Sequence, residues 1–292
     1  MEIRFRTKIW ERVALPILLI AFSAMGTVPL LFDDGGRNIA GFESLVRAAV
    51  DSFESRLPVE WDSADTIRIA VAFSRDEFER KTHGAIPDWG IGAANPDRQE
   101  IVLLISDRSS SPKSIELVTH ELGHIFLHNA VGDVAIPRWF DEGFAQWVSG
   151  TMDFRQSSRL AVAVILGRTI PLSSLGDVNS WDADRAELAY AESRAAFNFL
   201  MRMSPNGSPV ALIRSIAEAG DFEDGFSNAT GMTIYRFYRM WSIESAREYN
   251  YTLLLADWRI MFSLLTLLFV VLGAIKLVRN KLAKSRAEDE ED

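Results

Sequence analysis

The sequence predicts an α+β protein in which a small mixed sheet is followed by a mainly helical part, with an apolar segment at either end. Three observations predict it. Apolar residues alternate with period two in the first third of the chain. From Pro112 onward they recur at helical spacing, and uncharged runs stand near both termini.

At the N-terminal end, Val13 to Phe32 carries no charge and follows a head containing Arg4, Arg6, Lys8 and Arg12. A run of this length spans a bilayer core of roughly 30 Å, so residues 1–32 read as a membrane anchor. A cleaved signal peptide is the alternative, because Ala24 and Gly26 offer small residues at cleavage positions. Asp33, Asp34, Gly35 and Gly36 mark the linker that follows. Residues 33–250 contain no internal repeat and no low-complexity break, so they read as a single domain.

Within that domain, Phe42, Leu45, Val46, Ala49, Val50 and Phe53 line one face of a helix that Leu57-Pro58 stops. Thr66 to Phe73 alternates Ile67, Ile69, Val71 and Phe73 on one side and reads as a strand. A short helix over 75–81, a loop rich in Gly and Pro through Asn95-Pro96, and a second strand over Ile101 to Ile105 come next. Pro112 suits a first helical turn, and Ile115, Leu117, Val118, Leu122, Ile125 and Phe126 give that helix an apolar side to about Asn129. Pro137 opens another helix through Val148, and further helical stretches read over 153–167, 184–203, 208–219 and 232–248.

Ile260 to Ile275 is uncharged, flanked by Trp258 and Arg259 before it and by Lys276, Arg279, Lys281, Lys284 and Arg286 after it. Interface aromatics and a basic flank suit a membrane span, so residues 251–278 read as a transmembrane helix, with a buried core helix as the alternative. Residues 279–292 are then a basic and finally acidic tail. The basic clusters place both termini in the cytoplasm and the domain between them outside, at the cell membrane.

Composition narrows the chemistry. Residues 33–250 hold 21 basic against 32 acidic side chains, a balance that repels phosphate backbones and argues against nucleic acid. The chain has no Cys, which excludes disulfides, thiolate metal sites and cysteine nucleophiles. No Gly-rich phosphate loop follows a strand, and no G-x-S-x-G elbow occurs. Any metal must be held by His and carboxylate, and of the four His three fall at 120, 124 and 128.

His120-Glu121-Leu122-Gly123-His124 has the form H-E-x-x-H inside the helix that starts at Pro112. Residues four apart share a helix face, so His120 and His124 can converge on a tetrahedral ion. Glu121 then lies beside the ion, where it can take a proton from an attacking water and pass it to a leaving amine. A third His six residues after His124 would point to a metzincin, but that position is Ala130. His128 sits a further ~6 Å along the axis, too far to share the same ion, and reads as a helix-face or supporting residue. His83 reads as a loop histidine.

Pro137-Arg138-Trp139-Phe140-Asp141-Glu142-Gly143-Phe144-Ala145 then resembles the gluzincin metallopeptidases, and most closely the small peptidase MA-like domains. In that group an Asn-Glu-Gly-Phe-Ala segment or a close variant follows H-E-x-x-H on the next helix, and its Glu completes the zinc site. The resemblance implies Glu142 as third ligand, one zinc ion per chain and a zincin-like subdomain, with Asp141 where Asn is usual. It also implies that Tyr190, in Ala189-Tyr190-Ala191-Glu192-Ser193, donates to the oxyanion, with a core tyrosine as the alternative. Ile91 to Asn95 resembles the stretch where such enzymes lay an extended substrate along a sheet edge, and residues 221–241 resemble the closing helices of these domains.

The reading that results is a membrane-anchored zinc metallopeptidase with a peptide or protein substrate, a lipid bilayer as its other partner and no nucleic acid. His120, His124 and Glu142 bind zinc, and Glu121 and Tyr190 are catalytic. Two rivals stand beside it. One is an intramembrane protease, which the charges of residues 115–131 disfavour in lipid. The other is a zinc-binding membrane scaffold or chaperone without turnover.

Overall fold

The computed structural model describes residues 28–33, 39–58, 66–84, 90–105, 112–150, 154–176, 181–204, 208–250 and 258–289. Its strands are β1 (Leu30–Asp33), β2 (Ile67–Ala72), β3 (Gly92–Asn95) and β4 (Glu100–Leu104), in the order β1-β2-β4-β3. β2 runs parallel to β1 and to β4, whereas β3 is antiparallel to β4. The sheet is therefore mixed and small, and helices dominate the rest, as the periodicities predict.

Two helices accompany the sheet, α1 (Phe42–Arg56) and α2 (Arg75–Thr82). Ile67, Ile69 and Val71 of β2 belong to the main core, while Ala70 and Ala72 close on Phe78 of α2 and on Val102. Both faces of β2 are thus covered, where the alternation pointed to one. The small side chains at 70 and 72 are what leave room for the Phe78 ring. Arg68, exposed on β2, bridges its neighbours by pairing with Asp33 and lying 3.5 Å from Glu100.

Next come α3 (Pro112–Val131), α4 (Arg138–Ser149), α5 (Phe154–Ile165), α6 (Ala183–Met203), α7 (Val210–Ala219), α8 (Phe222–Thr230) and α9 (Ile234–Glu248). α3 ends where Gly132 takes a left-handed φ of 67° and its N–H returns to His128 O at 2.9 Å. α4 begins after Pro137, whose carbonyl accepts from Phe140 and Asp141. Two glycines let α3, α4 and α6 touch along their backbones. A Cβ at Gly123 would lie 2.9 Å from Ala145 Cα, and one at Gly143 would lie 2.6 Å from Ser193 O. Trp139, Phe140 and Phe144 of α4 are fully buried, with Trp139 stacked on Phe237 at 5.2 Å and Phe140 edge-on to Phe197 at 5.2 Å. This packing fixes α4 against α3, and so sets where residue 142 stands relative to residues 120 and 124.

Several expectations are corrected. Leu30, Leu31 and Phe32, assigned to the N-terminal apolar segment, form β1 in register with Ile67, Arg68 and Ile69. An apolar run without charge serves a strand as well as an anchor, and pairing decides. Residues 1–27 and the glycines at 35 and 36 lie outside the described residues. Gly92–Asn95, read from its sequence as loop, is an edge strand because its backbone pairs with β4 despite lacking β-branched side chains.

The flanking transmembrane helices, and the cell-membrane localisation with cytoplasmic termini and an extracytoplasmic domain derived from them, are not upheld. Among the described residues no helix is long and apolar enough to cross a membrane. The C-terminal segment is one helix, α10 (Trp258–Asp289), which runs on through the basic stretch. Its uncharged part, Ile260 to Ile275, rises only ~24 Å at 1.5 Å per residue, short of a ~30 Å hydrocarbon core.

Candidate metal centre

α3 and α4 bring three side chains to one point. His120 Nε2 and His124 Nε2 lie 3.2 Å apart, and Glu142 Oε2 lies 3.4 Å from the first and 3.9 Å from the second. Ligands held at ~2.0–2.2 Å around a tetrahedral ion stand about 3.3–3.6 Å from one another, so these separations match a common focus. Glu142 Oε2 is buried and accepts no hydrogen bond. An orphaned carboxylate oxygen facing two ring nitrogens is the arrangement that a cation completes.

The tautomer of His124 is set from behind. Its Nδ1 lies 2.6 Å from Asp141 Oδ1, so Nδ1 carries the proton and donates it, leaving the Nε2 lone pair for an ion. Burial disfavours charge on His124, but Asp141 outweighs it and pushes the imidazole up to about 9. Burial likewise opposes charge on Asp141, whose carboxyl the His124 partner nonetheless holds well below the usual carboxylate range. Asp141 also lies 3.5 Å from His128 Nε2, so His128 backs the supporting carboxylate and stays off the focus. Asp141 therefore has a use: it gives His124 an anionic acceptor. His83 caps α2 with a left-handed φ of 56° and its Nε2 lies 2.6 Å from Arg98 Nη1, remote from this trio in chemistry.

Glu142 loses ground to burial, yet Arg138 holds its carboxyl below the ordinary range. Nη2 of Arg138 lies 2.7 Å from Glu142 Oε1. Glu121 is buried, and that burial pushes its carboxyl above the ordinary range against the pull of His120 and His124. It sits under the edge strand: a Cβ on Gly92 would come within 2.5 Å of Glu121 Oε1 and 2.9 Å of Leu117 Cδ1, so a larger residue there would displace the Glu121 carboxylate. Tyr190 on α6 also reaches the site. Burial, together with Glu142, raises its phenol, and nearby Arg138 opposes that shift.

β3 presents a further feature. Leu104 N donates to Ile91 O at 2.8 Å, which makes 91 and 104 a hydrogen-bonded pair of the antiparallel ladder. Such pairs alternate, so Ala93 and Asn95 also bond inward, and Gly92 and Ala94 turn N–H and C=O to the outer edge. Among the described residues no strand covers that edge.

The sequence reading thus places His120, Glu121, His124, Glu142 and Tyr190, and the fold gathers all five. Arg138 was quoted in the motif without a role. Its spacing of four from Glu142 and three from Asp141 on one helix is the signal that points to it.

Comparison with known proteins agrees with the geometry. The uncharacterized protein YhcO of Bacillus subtilis (strain 168) is 26% identical over 129 residues, covering 41% of this chain and 38% of that protein. The alignment therefore spans well under half the length of that relative. The profile of the peptidase MA superfamily matches residues 81–244, which include both histidines, Glu142 and Tyr190, and the chain belongs to that superfamily.

Proposed function

We propose that this chain is a gluzincin-type peptidase that uses one zinc ion. The observation that carries the reading is the convergence of His120 Nε2, His124 Nε2 and an unpartnered Glu142 Oε2, with the Glu121 carboxylate buried alongside. Two imidazoles that can each offer Nε2 and one carboxylate are a ligand set suited to zinc with a position left open. An ion bound there supplies a Lewis acid and an acidified water.

The residues of the chain do the rest. Glu121, its carboxyl raised above the ordinary range by burial, takes a proton from the water that adds to the scissile carbonyl. It then returns a proton to the departing amine. Asp141 keeps His124 in the metal-binding tautomer. Tyr190 donates its hydroxyl proton as a hydrogen bond to the oxyanion. The outward N–H and C=O groups of Gly92 and Ala94 hold an extended peptide by its backbone, which selects for peptide with little dependence on side chains.

The test is Glu121→Gln in the full chain, compared with wild type for zinc content and peptide hydrolysis. The variant keeps zinc and loses ~10²–10⁴-fold in rate. A variant that cleaves at the wild-type rate would remove Glu121 from the mechanism.

A further inference from the structure

Glu192 lies on α6 two residues beyond Tyr190, and the metal centre makes no use of it. Gly143 of α4 closes on Ser193 and Phe197, so that side of α6 packs against α4. At 100° per residue Glu192 is turned off that side, toward α5 and α9. There it borders a cavity of about 190 Å³ whose rim carries the exposed Thr169, Pro171 and Ser173. The floor is Glu192, Trp241 and Ser245, which are 1%, 6% and 7% exposed. An apolar cavity of ~150 Å³ takes up benzene, so this volume suits a ligand of about six heavy atoms.

The floor offers acceptors. Ile170 N–H donates to both Glu192 oxygens, at 2.8 and 3.0 Å, and a carboxylate has about four acceptor positions, so most of them are left over. Ser245 Oγ donates to Ser242 O at 3.2 Å, which leaves its lone pairs to offer. Trp241 adds an indole, whose face attracts cations, and Leu160 and Leu172 add apolar wall. Acceptors beside an aromatic and aliphatic wall recognise a ligand with a donor-rich positive end and a short carbon body.

We propose that this cavity is a second binding site, on the side of α6 away from the metal centre, for an alkylammonium ion whose charge Glu192 meets and whose carbon chain Trp241 and the leucines cover. Neither the metal nor peptide hydrolysis enters into it.

Binding carries a proton change. Burial pushes the Glu192 carboxyl up to about 8, so without a ligand the group holds its proton near neutral pH. An arriving ammonium ion converts the acid to carboxylate, and one proton leaves to solvent. Tyr238, the other titratable residue of the lining, has its phenol raised by burial and stays neutral. Affinity therefore tightens ~10-fold per pH unit until pH approaches about 8.

The test is calorimetric titration of the full chain with n-pentylamine and with its neutral isostere 1-pentanol. At about pH 8 the amine binds ~10–100-fold more tightly than the alcohol, the margin of a charge-assisted hydrogen bond. Its affinity falls more than ~10-fold at about pH 6, and the heat at neutral pH varies with the ionisation enthalpy of the buffer. Glu192→Gln, its fold checked by thermal melting, binds the amine ~10–100-fold more weakly at about pH 8 and without pH dependence. Nα-acetyl-lysine amide, bound in preference to pentylamine, would identify a lysine side chain as the source of the ammonium group, and the reverse order a free amine.

Equal response to amine and alcohol, including none to either, overturns the proposal, as does wild-type amine affinity in Glu192→Gln. Should that variant not fold, Ser173→Trp at the exposed rim decides: its ring covers the mouth and abolishes amine binding, and undiminished binding there overturns the proposal equally.

Discussion

Glu142 and Glu192 are both glutamates of the helical half, 3% and 1% exposed, and the fold treats them in opposite ways. Glu142 on α4 has Arg138 against one oxygen and two imidazoles facing the other, and it stays charged. Among the described residues no cation pairs with Glu192 on α6. Both its oxygens face Ile170 N–H, at 2.8 and 3.0 Å, beside a cavity of about 190 Å³ lined by Tyr238, Trp241 and serine hydroxyls. Burial there pushes the carboxyl up to about 8, and the backbone hydrogen bond only partly opposes it. Burial alone neutralises a carboxylate. A buried one that remains charged has been supplied with cations, and the oxygen left over at Glu142 is the place for another.

The comparison breaks most decisively at Glu142. Replacing it by Ala removes one ligand and strands Arg138, and metal analysis of the purified chain is expected to fall from near one zinc per chain to near none. Retained zinc would move the third ligand elsewhere.

Glu192→Gln sharpens the other side. The carboxyl titrates at about 4.5 when unfolded and about 8 when folded. Its contribution to stability is therefore complete below about 4.5, erodes as pH rises, and is gone above about 8. At ~1.4 kcal/mol per unit, the wild type loses roughly 3 kcal/mol from this group between about pH 5 and about pH 8. Glutamine cannot ionise, so the melting temperature of the variant should fall less over that window. Parallel pH profiles for the two proteins would show that Glu192 titrates normally.

A smaller effect is expected at Asp141→Asn. The amide still accepts from His124 Nδ1, without the charge, and zinc affinity should weaken ~10–100-fold by chelator competition while the fold is kept. Unchanged affinity would mean that the charge on Asp141 adds nothing over a neutral acceptor.

Much of the site was legible because helical spacing does geometric work. The step of four from His120 to His124 puts both rings on one face of α3, and the resemblance supplied Glu142 and Tyr190. What spacing cannot show is contact between elements. Gly92 matters to the site because β3 crosses Glu121, and that approach depends on strand pairing with β4. The same limit hid β1: Leu30, Leu31 and Phe32 look alike as anchor or strand until Ile67 to Ile69 are alongside. At α10, an aromatic and basic flank made a short uncharged run read as a span that the helix does not support. Within the helical half, Asp141 was visible as a departure from pattern, but its purpose required the ring of His124 beside it.

The convergence of three ligands on one ion is tested most directly by zinc-edge X-ray absorption on the zinc-loaded chain, with His124→Ala as its partner. The expected first shell is light-atom donors at ~2.0–2.2 Å with outer scattering from two imidazoles, reduced to one or lost in the variant. A spectrum without imidazole scattering, or one that His124→Ala leaves unchanged, would contradict the account.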